Sequence, residues 1–98
     1  MRISERERAL IKQTCLEVFG TDEVYLFGSR VDDTALGGDI DLFIETDPAE
    51  SPSQRFEKKI RFLTLLKMRI GDQKIDVVLA QDSNRPIEQE ARKTGIKL

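Results

Sequence analysis

The sequence contains no histidine and a single cysteine, Cys15. Without histidine the chain lacks the usual general base, the commonest metal ligand and any Ser-His or Cys-His nucleophile pair. Its chemistry must run on carboxylates, Ser, Lys, Arg and bound metal. One cysteine excludes an intrachain disulfide and gives no sign of an oxidising compartment. At helical spacing from Ile11 and Val18, Cys15 reads as a core residue. No signal-like segment or long apolar run occurs, so the expectation is a soluble, cytoplasmic protein with no membrane contact. A basic excess is lacking too: 16 Lys and Arg against 18 Asp and Glu leave a formal charge of -2. That argues against gripping a nucleic-acid backbone by bulk charge, but not against one nucleotide held through metal ions.

What is present suffices for one domain, residues 1–98, with a modest core and a heavily charged surface: 39% of residues are apolar and 35% charged. Ser4 followed by Glu7 is a capping box, and Ile11, Cys15 and Val18, flanked by Leu10 and Phe19, predict a helix over 4–19 stopped by Gly20. "EVYLFG" predicts a strand at 23–27, and "SRVDDTALGG" one or two helical turns from Ser29, released by Gly37 and Gly38. "DIDLFIE" reads as a second strand, with Ile40, Leu42 and Ile44 on one face. Ser51, Pro52 and Gln54 start another helix running to Gly71, whose expected core stripe is Phe56, Ile60, Leu63 and Ile70, widened by Phe62 and Leu66. "KIDVVL" is a third strand, and "RPIEQEARKTG" a last helix between Pro86 and Gly95. The order predicts a small α/β (α+β) fold, a mixed sheet of about three to four strands flanked by helices.

The chemistry concentrates on the strand ends. Residues two apart on a strand point the same way, so Asp39 and Asp41 project together. If the third strand lies beside the second, Asp76 joins them, with Ile75 and Val77 turned into the core. Like charges gathered so closely repel unless a cation sits among them; Mg²⁺ suits carboxylates and phosphates, and a pair of such ions is expected, able to clamp both the attacking and the leaving oxygens of a phosphoryl displacement. An isolated Asp-x-Asp equally marks a surface strand end; the three acids together carry the argument. Before them, Gly28 permits a sharp turn without a Cβ. Ser29 stands near a helix start where free N–H groups favour an anion, and Arg30 offers a forked phosphate contact. A triphosphate tail fits between such a turn and such acids. The spacing is not that of a Walker A loop.

This succession, "GS" at Gly28–Ser29, "DID" at Asp39–Asp41, "KIDVVL" with Asp76 and the ending "PIEQEARKTGIKL", resembles the DNA polymerase β-like nucleotidyltransferases, and among them the minimal nucleotidyltransferases. The resemblance implies that Gly28 and Ser29 bind nucleotide phosphates, with Arg30 as an extra contact. It also implies that Asp39, Asp41 and Asp76 hold Mg²⁺ as the catalytic carboxylates. It implies transfer of AMP from ATP to a hydroxyl. Larger relatives add a helical domain for the acceptor, so the short chain leads us to expect the acceptor on a partner. In the resembled group that partner is commonly a HEPN-domain toxin modified on tyrosine, which would make this chain an antitoxin in a hetero-oligomer. A HEPN ribonuclease itself needs a histidine that this chain lacks. Two other readings stay open: nucleotidyl transfer to a small molecule of aminoglycoside type, and neutralisation of a toxin by binding alone.

Overall fold

A computed structural model of the chain describes residues 3–31, 38–47 and 49–98, with only the backbone of Ser29. Helix α1 spans Glu5–Phe19, opened as its capping box requires: Glu7 N–H donates to Ser4 Oγ at 3.0 Å and Ser4 N–H to Glu7 Oε1 at 2.9 Å. Strand β1 is Val24–Phe27, followed by a single 3₁₀ turn, Gly28–Val31. Strand β2 is Ile40–Ile44. Helix α2, Pro52–Ile70, repeats the capping device with Ser51 and Gln54 and places Pro52 in its first turn, where a missing N–H costs nothing. Strand β3, Ile75–Leu79, helix α3, Pro86–Thr94, and a two-residue strand β4, Ile96–Lys97, complete the order.

The strands lie in the order β3-β2-β1-β4. β1 runs antiparallel to β2 and β4, whereas β2 and β3 are parallel, as the intervening helix α2 permits. Helices α1 and α2 pack on one face of this mixed sheet. There Ile11 and Cys15 meet Phe62 and Leu66 over Leu26 and Leu42, all fully buried. Helix α3 lies on the other face and seals Ala91 against Phe27, Phe43 and Ala80. It covers only one end of that face. The end carrying the starts of β2 and β3 keeps its polar side chains.

Two expectations need correction. Phe56 and Ile60 are not core: they are 64% and 49% exposed, and Leu63 is half-buried. The inward stripe of α2 is set by Phe62, Leu66 and Ile70, and one helical repeat before Phe62 it presents Arg55, buried and donating to the Ala80 carbonyl. Phe56 and Ile60 are therefore rotated off the core. The last stretch holds a strand as well as a helix, since β4 pairs Leu26 with Ile96 and Tyr25 with Lys97. Two residues are too few to show a period. The helical segment from Ser29 is one 3₁₀ turn beginning at Gly28, and its expected release at Gly37 lies outside the described residues. No described helix is long and apolar enough to cross a membrane.

Candidate active site

The uncovered end of the sheet gathers the acids. Parallel pairing sets Ile40 beside Ile75 and Asp41 beside Asp76, so these two carboxylates share one face across adjacent strands. Asp39, two residues before Asp41, belongs to the same face at the mouth of β2. The ladder fixes this placement, for Ile40 N–H donates to the Lys74 carbonyl at 3.1 Å. On its other side Asp41 pairs with Phe27, the last residue of β1, which hands the chain to Gly28.

Gly28 serves this site in a way that its sequence context did not disclose. Its φ of 76° lies in the left-handed region, and a Cβ at that position would run into Asp41 Oδ2. The glycine is thus the floor on which the Asp41 carboxylate rests. Ser29 follows within the 3₁₀ turn; its side chain lies outside the described residues. Arg30 Nε donates to the Gly38 carbonyl at 3.2 Å, bracing the two ends of the segment between β1 and β2.

Burial raises the pKa of Asp41 above its ordinary value, and the charges of Asp76 and Asp39 push it the same way; Lys74 opposes them. Lys74 was not singled out from the sequence. It immediately precedes β3, and the register that sets Asp76 beside Asp41 sets Lys74 beside Asp39, with Nζ 3.4 Å from Oδ2. Only that register reveals it. The site therefore carries three carboxylates against one nearby ammonium.

Carboxylate oxygens gathered on one face have the donor chemistry that a divalent cation with phosphate ligands takes. The side chains do not converge as a finished cage: among the described residues no three His, Cys, Asp or Glu are grouped so as to hold a metal. Hollows also lie elsewhere on the described surface. One of about 270 Å³, between Thr46, Gln81, Ser83 and Arg92, is at the opposite ends of β2 and β3.

A small mixed sheet with helices on both faces and acids at the mouths of two parallel strands is a nucleotidyltransferase architecture. The family model described as "Polymerase beta, Nucleotidyltransferase" matches residues 10–98, and the chain belongs to that family. No curated protein matches the chain.

Proposed function

We propose that the chain transfers AMP from ATP, with Mg²⁺, to a hydroxyl on a partner protein, a tyrosine of a HEPN-domain toxin, and so acts as an antitoxin. The observation that carries this is the register of β2 against β3, which sets Asp41 beside Asp76 above the Cβ-free surface of Gly28. Family membership supports transfer of a nucleotidyl group. The finer identity of acceptor and partner follows from the likeness to minimal nucleotidyltransferases.

On this reading Asp39, Asp41 and Asp76 would hold the metal, with Lys74 as the neighbouring positive charge on Asp39. Bound Mg²⁺ supplies charge stabilisation for the triphosphate and the attacking oxygen. Gly28 and Ser29 line the path of the phosphates, the first also seating the Asp41 carboxylate. Arg30 keeps that turn in place through Gly38 and stands ready as a further phosphate contact. Asp76, exposed at the rim, takes the proton of the acceptor hydroxyl as its oxygen bonds to the α-phosphorus and pyrophosphate departs.

The test incubates the protein with α-labelled ATP, Mg²⁺ and the product of the adjacent gene. Label on the partner that disappears with Asp41→Ala supports the proposal. One observation favours a second reading, neutralisation by binding alone: Lys74 Nζ already engages Asp39 Oδ2 at 3.4 Å. Toxin neutralisation undiminished in the Asp39→Ala, Asp41→Ala double variant would establish that reading and remove the first.

A further inference from the structure

Strand β3 is an edge of the sheet: among the described residues no strand pairs with its outer side. The ladder determines which groups face outward. The Lys74 carbonyl and the Ala80 N–H bond to β2, so by alternation the backbone groups of Ile75, Val77 and Leu79 point away from the sheet. The Leu79 carbonyl is already taken, by Arg85 Nη2 at 3.0 Å. Ile75 and Val77 remain as the pairing positions.

A groove of about 240 Å³ runs along this edge, walled by Lys59 of α2 and by Val77, Val78 and Ile87. Ile87, 46% exposed, stands on the wall opposite Lys59. An unpaired strand edge thus lies beside an apolar ridge, Val77, Val78 and Ile87 along the groove. Unmatched backbone donors and acceptors specify an extended chain, the ridge specifies apolar side chains on one of its faces, and the Lys59 ammonium favours an acidic residue nearby.

We propose that this edge docks an extended segment of the acceptor protein by strand addition, delivering a hydroxyl side chain to Asp76. This rests on the transferase reading of the site above. A strand added outside β3 lies roughly 4.8 Å away, and a residue opposite Asp76 points to the same face, with its Cβ about 5 Å from that of Asp76. Its neighbours in sequence point to the other face, the one that α2 covers. The sheet's alternation therefore presents one hydroxyl to the acids and the flanking apolar residues to α2.

The probe is a capped peptide of alternating valine and threonine, with a central tyrosine and glutamate ends. The readout is amide hydrogen exchange at Val77. Saturating peptide is expected to slow exchange at Val77 about tenfold, in the native protein and in Asp41→Ala alike. The same peptide N-methylated at alternate residues should leave it unchanged. Ile87→Ser, at an exposed position on the groove wall, should weaken peptide binding about three- to tenfold without changing the melting temperature. Val77→Pro, which removes the outward donor, should abolish it. The proposal is overturned if about 1 mM peptide gives no protection of Val77, or if the N-methylated peptide protects equally. It is also overturned if sedimentation shows the chain pairing with a second copy through this edge, dispersed by Ile87→Ser. Protection without AMP transfer to the tyrosine would sink the transferase reading and leave the docking edge. Transfer without protection would do the reverse.

Discussion

At the scale of single residues, the molecule carries unfavourable electrostatics where it carries its chemistry. Asp41 is half-buried beside two other acids, with burial the largest cause of its raised pKa and Asp76 and Asp39 the next. A carboxyl with a raised folded pKa holds its proton more tightly in the folded protein than in the unfolded chain. Stability is therefore highest while Asp41 is protonated and falls as pH rises from the ordinary value of 3.8 through the folded one. Asp41→Asn should raise the melting temperature at pH 7 by roughly 2–5 °C and abolish nucleotidyl transfer, with the stability gain shrinking as the pH approaches 4. Calorimetry across pH checks both signs. Gly28→Ala acts oppositely, because a Cβ there meets Asp41 Oδ2 and the backbone is left-handed. The left-handed penalty of about 1–2 kcal/mol predicts a melting temperature lower by about 5–15 °C. The displaced carboxylate predicts transfer slowed by about a hundredfold or more. A variant that kept full activity would show that Asp41 does not need its present seat.

At the scale of elements, what was legible in the sequence was what neighbours in the chain decide. Both capping boxes sit within four residues, and they start α1 and α2 where Ser4 and Ser51 predict. The alternation Ile40, Leu42, Ile44 is complete within β2 and turns Asp41 outward from the core. The features that escaped depend on partners distant in sequence: Lys74 beside Asp39, β4 against β1, and the rotation of α2 that exposes Phe56 and Ile60. A helical period places apolar residues on a stripe but does not say how wide the covered stripe is. The correction is testable, since Phe56→Ser should change stability by less than about 0.5 kcal/mol, whereas Phe62→Ala, fully buried, should cost about 3–5 kcal/mol in urea unfolding. Helix α3 offers a second test. Glu88 is fully buried and accepts from the N–H groups of Gln81 and Asp82, at 3.0 and 2.9 Å, and from Arg85 Nε at 2.7 Å, tying the connection after β3 to the helix. Burial alone would raise its pKa, but the bonds from Asp82, Gln81 and Arg85 outweigh it and hold the carboxyl below its ordinary 4.5. Its stabilisation is present above that value and lost as pH falls through the lower, folded one. Glu88→Ala should lower the melting temperature at pH 7 by about 5–15 °C, and the difference from the native protein should close in acid.

At the scale of the whole molecule, both helices on the core face and all three longer strands meet in one apolar cluster, so that cluster should open only as a unit. Cys15 reports on it. Its side chain is fully buried, and burial, reinforced by the charge of Asp22, pushes the thiol up to about 12. At neutral pH it is neither ionised nor reachable, and the thiolate is the reactive form. Alkylation of Cys15 should therefore proceed through global unfolding alone, with a rate proportional to the unfolding equilibrium constant under conditions of fast refolding. A variant weakened by about 1.4 kcal/mol should be labelled about tenfold faster. The same scale should order Gly28→Ala and Glu88→Ala above the native protein and Asp41→Asn below it. Addition of Mg²⁺ with ATP should slow labelling of the native protein, because a ligand bound only to the folded state draws the population towards it, and should do so far less in Asp41→Asn. Labelling that outran the unfolding measured in urea would mean that α1 detaches from the sheet by itself. The single core would then be two units, with α1 separable from the face that carries the site.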